Sequence, residues 1–432
     1  ACPDWWALSA FFLPLLLYLL TLAPTVYNLD SAELTTAVAT NGIIRATGYP
    51  LYLLLGKLFV WLPVGDVGYR LNLFSAVCGA LTIFLANRIL QRLAIGRWAR
   101  LGALGLLVTA PYFWAMSLVA EVYTLHTALM AATILLLLRW DEAPSPQRLV
   151  AVALVLGLSC GNHAAMVLLV PGSVWFVATR APRHWLRPHI LAAVVLAVIA
   201  GLSVYLLLPW RFGQNPVFNY AGQYDATGTF VPVDLQTWQG FLWLVSGKAF
   251  AGKMFGYTIA ELGPEIAGFG VQLWLAFFAI GVGPGLWGMV VLLRRDRRLG
   301  LMLLLFFLAN VIFYINYRVV DKASMYLPAY FVWTLWLGAG YQAILDEMEE
   351  AGSQRGAWLL RLVMVGAVLL ALGWNWARVD LSDDWSTREQ SEAILQNAKP
   401  NAIIFGWWDT VPGVQYLQSV EGQRPDVTLI NR

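Results

Sequence analysis

Charge is what this sequence has least of. Asp, Glu, Lys and Arg make up 12% of its 432 residues, about half of the ~25% usual in soluble domains. Together with 59% hydrophobic residues and a mean hydropathy of +0.65, this excludes a water-soluble globular fold and reads as an integral membrane protein. The net charge of +3 is too small to argue for nucleic acid. Cysteine is nearly absent. Cys2 is terminal, and Cys78 and Cys160 lie in apolar runs, so a disulfide framework and a cysteine metal cluster are both excluded. There is no internal repeat and no low-complexity tract. The chain does not begin with Met, which predicts a trimmed N-terminus. Its first apolar run lacks a small-residue cleavage site, which predicts a retained anchor.

What is present is a series of apolar runs, about eleven spans of the ~20 residues a bilayer needs. They fall near 5–24, 69–92, 98–116, 120–139, 148–163, 164–180, 189–209, 266–293, 299–316, 325–345 and 357–377. The run from Leu51 to Pro63 is short and interrupted by Lys57, so it is expected on the outer surface. Basic residues set the orientation. With the N-terminus inside, short inner loops collect Arg88 to Arg100, Arg139, Arg148, Arg180, Arg183, Arg187, Arg294 to Arg298, Arg355 and Arg361. The outer loops keep only scattered ones, among them Arg45, Arg211, Lys253 and Lys322. The C-terminus is then outside.

The expected fold is an all-α polytopic membrane domain over 1–377, with a first outer loop at 25–69 and a long one at 211–265. Within the latter, Leu235 to Phe255 is Trp-rich and reads as an interfacial helix. Residues 378–432 turn polar and read as a small outer α/β piece. Helices are expected at Ser391–Ala398 and Val414–Ser419, a buried strand at Ala402–Phe405, and a second strand at Val427–Ile430. Its abrupt end in a strand predicts a chain cut short.

In this topology the unusual polar residues fall at one level, the outer ends of the spans. Asp30 and Glu33 follow the first span, Glu121 opens the fourth, Asn162-His163 closes the fifth, Arg211 follows the seventh, and Asp321-Lys322 precedes the tenth. Charged groups in a membrane usually face a cavity or a partner, so their convergence predicts a polar cavity open to the outside. Asp30 and Glu33, three apart, share one face of a short helix that ends at Gly48-Tyr49-Pro50. Plainer readings stand beside these. Asp30 and Glu33 suit a capping box, Glu121 a helix start, and Asn162-His163 a helix end. Arg211 suits a headgroup anchor. His126 lies too far around its helix from Glu121 to share a face and reads as a packed core residue. Trp407-Trp408-Asp409 reads as a loop resting on the membrane.

The string PTVYNLDSAELTTA, followed by GYPLYLLLGKLF and YRLNLFSAV, resembles the N-terminal part of the C-type (GT-C) membrane glycosyltransferases. It is most similar to a bacterial and animal family whose animal member is a protein O-mannosyltransferase. VAEVYTLH, GNHAAM, LPWRFGQNP, DKASMYLPAY and VEGQRPDV extend the likeness, in order, along nearly the whole chain. Many relatives carry His-Pro-Pro-Gly before the Tyr-Pro, where this chain reads Arg45-Ala46-Thr47-Gly48. That departure puts a His contact in doubt and offers Arg45 to a phosphate instead.

The resemblance implies a GT-C enzyme of a bacterial inner (plasma) membrane. It takes mannose or another hexose from a polyprenyl-phosphate carrier and passes it, with inversion, to a hydroxyl of a protein or glycan on the outer side. Asp30 is then the base, with Glu33 second. Arg211, Arg45 and Lys322 are candidates for the donor phosphate, and Glu121, Asn162, His163, Tyr49 and Tyr326 are further substrate contacts. No cofactor is fixed by the sequence; two carboxylates and His163 could hold a divalent metal, at a spacing that matches no strong metal motif. A proton-coupled transporter and a non-catalytic receptor or assembly factor remain the alternatives.

Overall fold

The computed structural model describes residues 5–180, 187–224 and 229–431; Cys2 and Arg183 lie outside them. The chain runs α1 (Trp5–Leu20), α2 (Asp30–Thr40), α3 (Pro50–Val60), α4 (Val67–Arg92), α5 (Arg97–Val108), α6 (Pro111–Met116), α7 (Val122–Glu142) and α8 (Pro146–Cys160). A 3-10 turn over Ala164–Leu169 leads into α9 (Val170–Arg180). Then come α10 (Pro188–Leu202), α11 (Leu207–Phe212), the antiparallel pair β1 (Gly222–Tyr224) and β2 (Phe230–Pro232), and α12 (Trp238–Val245). The rest is α13 (Ile259–Ala276), α14 (Val282–Arg295), α15 (Arg297–Ile315), α16 (Leu327–Glu350), α17 (Gln354–Val379), α18 (Ser386–Asn397), β3 (Ile403–Gly406), α19 (Val411–Glu421) and β4 (Thr428–Asn431).

Among the described residues, five helical segments are long and apolar enough to cross a bilayer: Val67–Arg92, Val122–Glu142, Pro188–Phe212, Arg297–Ile315 and Gln354–Val379. Shorter apolar helices fill in around them. Helix α16 is the axis of the bundle. Every residue from Leu327 to Tyr341 is buried, as expected of a helix that is apolar all round. It packs against α14, α5, α15, α7 and α4.

Two spans expected to be continuous are interrupted. The run 266–293 breaks at residues 277–281, where Phe278 and Ala279 take left-handed backbone angles. The sequence Gly281-Val282-Gly283-Pro284-Gly285 follows, and Pro284 can only sit in a first helical turn. The run 98–116 stops at Val108 and restarts at Pro111 for the same reason.

Charged groups gather at two opposite ends of the bundle. At one end Arg92 pairs with Glu142, and Arg180 pairs with both Asp141 and Asp296. At the other lie α2, α3 and the long loop. Lys57 of α3 donates to the carbonyls of Val38 (3.2 Å) and Ala39 (2.8 Å), closing the C-terminal end of α2. Residues 42–43 are stitched to the long loop by Ile43 N–H to Phe218 O (2.9 Å) and Tyr220 N–H to Ile43 O (2.9 Å).

The C-terminal βαβ unit, with β3 and β4 parallel, sits on this same end. Val414, Tyr416 and Leu417 of α19 pack with Leu395 of α18, Val26 and Ala32 of α2. Arg388 of α18 bonds Asp66, the cap of α4, at 3.2 Å and Glu421 at 2.8 Å. Strand β3 is not fully buried as the sequence suggests. Ile403 and Phe405 point outward, and only the other face meets the unit's core.

Candidate active site

The carboxylate helix is built differently from a capping box. Asp30 is already the first helical residue of α2, and the helix start has no side-chain cap. Both carboxylates turn instead to Arg45, which the loop after α2 returns to them. Asp30 Oδ1 pairs with Arg45 Nη2. Glu33 Oε2 lies 3.4 Å from Arg45 Nε, and Glu33 Oε1 accepts the Arg45 backbone N–H at 3.1 Å. Glu33 is buried. Burial pushes its pKa up to about 7, against the opposing pull of Arg45. Burial disfavours the charge on Arg45 too, but Glu33 and Asp30 outweigh it and raise its pKa. Asp30 stays half-exposed, its side chain 42% accessible.

Asp30 and Arg45 stand at the rim of a cavity of about 440 Å³. Tyr49, Tyr123, His163, Lys253, Tyr314 and Tyr317 line its polar part, and Val167, Leu168, Phe250, Phe313 and Met325 its apolar part. Lys253 comes from a 3-10 turn, Lys248–Lys253, behind α12. Its ammonium lies 5.6 Å from the Phe250 ring. A small recess leads on from the rim, bounded by Glu33, Glu121 and Tyr123.

The sequence candidates divide accordingly. Asp30, Arg45, Tyr49 and His163 meet at the main cavity, and Glu33 and Glu121 at the recess. Glu121 occupies the cap position of α7 without a side-chain cap bond. The hydroxyl of Ser75 fixes its backbone at 3.1 Å. His163 Nδ1 accepts from Ala165 N–H at 3.2 Å, so it caps the start of the next turn. Its ring rests 5.9 Å from both Tyr49 and Tyr123 and 5.1 Å from His126, which is buried.

The other candidates are placed behind the wall. Arg211 is buried and donates to Gly42 O at 3.2 Å. Lys322 is buried, pairs with Glu265 and lies 4.3 Å from the Tyr257 ring. Asn162 donates to Val122 O at 3.2 Å, tying α8 to α7. Tyr326 packs between Phe269 and Tyr314.

Three residues that meet the candidate site were not singled out for it from sequence: Lys253, Tyr123 and Trp408. Trp408, expected in a loop against the membrane, turns its indole to α2. Its indole N–H donates to Asp30 Oδ1 at 2.9 Å, and the Arg45 guanidinium carbon stands 4.5 Å from its ring centre. Among the described residues no group of three or more His, Cys, Asp or Glu could hold a metal. The combination of Asp30, Glu33 and His163 is not assembled: Arg45 takes the carboxylates and Ala165 the histidine. A larger groove of about 700 Å³ between α6, α13 and α17 contains no carboxylate.

Comparison with known proteins falls in line with this geometry. Residues 30–186 match the family described as the protein O-mannosyl-transferase TMEM260 N-terminal domain. Mouse protein O-mannosyl-transferase TMEM260 is 25% identical over 447 residues, covering 96% of this chain and 61% of the relative. The Dictyostelium discoideum protein O-mannosyl-transferase tmem260 is 21% identical over 457 residues, covering 96% and 56%. The chain thus spans about three-fifths of the length of the curated relatives it matches. Among solved structures, ArnT from Cupriavidus metallidurans bound to undecaprenyl phosphate aligns with a TM-score of 0.62 at 13% identity, over 100% of this chain and 90% of that one. Its apo form gives 0.62 at 14%, over 97% and 85%. The chain resembles the TMEM260 O-mannosyltransferase family in sequence and shares the largely helical fold of ArnT.

Proposed function

We propose that this chain is the membrane-embedded catalytic part of a glycosyltransferase that moves mannose from a polyprenyl-phosphate carrier to a hydroxyl, a protein's by the relatives' names, with inversion. The observation that carries the reading is one cavity lined by a half-exposed carboxylate, Asp30, by two cations, Arg45 and Lys253, and by apolar side chains.

The chemistry asks for each part. A hydroxyl is a poor nucleophile, and a carboxylate within hydrogen-bond reach takes its proton as it attacks. Both donors to Asp30 bind Oδ1, from Arg45 and Trp408, so Oδ2 is the oxygen that faces an acceptor. The acceptor oxygen bonds to the anomeric carbon while the bond from that carbon to the phosphate oxygen breaks. A single displacement of this kind inverts the centre, as in inverting glycoside chemistry. The leaving polyprenyl phosphate gains charge, and Arg45 and Lys253 are placed to hold it. Glu33 keeps Arg45 at the rim. The prenyl tail lies along Val167, Leu168, Phe250, Phe313 and Met325. The carboxylates sit on the short outer helix α2 and are engaged by Arg45, rather than at mid-span on a broken helix as a transporter would have them.

The test is donor choice. Purified protein in liposomes should label a Ser/Thr-containing peptide from polyprenyl-phosphate [³H]mannose, and the new linkage should have the opposite anomeric configuration to the donor. Transfer from GDP-mannose in lipid-donor-free liposomes, or retained configuration, would contradict the proposal.

A further inference from the structure

Trp408 lies 378 positions from Asp30 in sequence, yet donates its indole N–H to Asp30 Oδ1 at 2.9 Å. Its ring also supports the Arg45 guanidinium, 4.5 Å away, and Tyr220 of the long loop meets it edge-on at 5.4 Å. The indole therefore touches the acid, the cation and the long loop at once. Its own position is held from behind. The turn after β3 is closed by Val411 N–H to Trp407 O at 2.9 Å. Helix α19, which begins at Val411, is seated on α2 through Val414, Tyr416 and Leu417. The Tyr416 hydroxyl accepts Gly68 N–H at 3.2 Å.

We infer that Trp408 is a positioning residue of the active site, and that through it the C-terminal βαβ unit completes the site. The inference rests on the reading of Asp30 as the base. Two donors converge on one carboxylate oxygen, the Arg45 Nη2 and the Trp408 Nε1, and both are anchored elsewhere. Together they fix the rotation of the carboxylate and leave Oδ2, which accepts from neither, to the acceptor. Without the indole N–H, the carboxylate is held by Arg45 alone and can swing toward it, closing the ion pair over both oxygens. The proton acceptor would then be misaligned while the cavity stayed intact. A misplaced base lowers kcat more than it weakens donor binding.

Two measurements test this. Trp408→Phe keeps an aromatic ring beneath Arg45 and removes the N–H together with the five-membered ring that carries it. It should lower kcat about 10-fold or more, the cost of one hydrogen bond to a charged group, while leaving the KM for polyprenyl-phosphate mannose within about threefold. Trp407→Phe, at an exposed neighbour (66% accessible), should change neither. In an Asp30→Asn background the Trp408→Phe change should have little further effect, because partners in one contact are not additive. If Asp30→Asn abolishes turnover and Trp408→Phe keeps the wild-type kcat, the positioning role is overturned and the reading of Asp30 stands. If Asp30→Asn turns over normally, the reading of Asp30 falls first. The contact can be tested without activity. In protein labelled with 5-fluorotryptophan, the resonance assigned to Trp408 by its loss in Trp408→Phe should move in Asp30→Asn. A resonance that does not move would overturn the inference whatever the activity.

Discussion

Arg45 answers to two carboxylates and an indole ring, whereas the ammonium of Lys253, in the same cavity lining, has among the described residues the Phe250 ring as its one side-chain partner. The looser cation should therefore be the one a donor phosphate recruits. Lys253→Ala should weaken use of the lipid donor roughly 10- to 150-fold, the range for charge-assisted bonds, with little dependence on acceptor. Arg211→Lys should leave donor kinetics near normal, since Arg211 is spent on Gly42 O inside the wall. A donor defect in stable Arg211→Lys protein would return the phosphate to it. Glu33 gives a pH prediction. Its folded pKa, about 7, lies above the ordinary 4.5 of a glutamate because burial disfavours its charge. Between those values the folded state binds more protons than the unfolded, so this group's contribution to stability falls as pH rises. Glu33→Gln, which cannot ionise, should compare more favourably with wild type at pH 8 than at pH 5 in thermal melts; an offset independent of pH would contradict the shift. Asp30, Glu33 and Arg45 were legible in the sequence because one short segment carries all three. Trp408 and Lys253 were not, because spacing along a chain says nothing about which distant loops meet.

At the scale of elements, apolar runs located most helices, and polarity located the outer unit with its alternating helices and strands. What the runs concealed was interruption. Hydropathy is blind to backbone, and the 266–293 run looks continuous until Gly281, Gly283, Pro284 and Gly285 are read as a helix start. The same stretch explains how α14 approaches α16. A Cβ on Gly288 would stand 1.7 Å from Trp336 O, and one on Gly340 would stand 1.8 Å from Pro284 O. Small residues at such crossings let backbones touch where no hydrophobic effect drives helices together. Gly288→Leu should therefore sharply lower the melting temperature in detergent. Gly283→Ala, whose Cβ meets nothing within 4 Å, should hold or raise it, given the helix cost of glycine. Equal effects at the two positions would contradict this packing.

For the whole molecule, the separation of charge into two end layers implies an orientation. By the basic-residue rule we propose that the layer with Arg92, Arg180, Arg294 and Arg295 lies inside, and the cavity with the C-terminal unit outside. A phosphatase reporter fused after Arg378 should be active on the outer side and a thiol label placed in the 294–298 loop should react only from the cytoplasm; the reverse pattern would invert the site. The fold class was legible because bilayer thickness sets a length that composition reveals at once. The cavity was legible only as a level, the outer helix ends, and its walls needed the packed chain. The account rests on Asp30 taking the acceptor's proton at the outer end of the bundle. Transfer of [³H]mannose from polyprenyl phosphate to a Ser/Thr peptide should fall by the ~10²–10⁴-fold typical of a lost general base in Asp30→Asn, with the melting temperature and binding of polyprenyl phosphate unchanged; wild-type turnover in folded Asp30→Asn protein would contradict it.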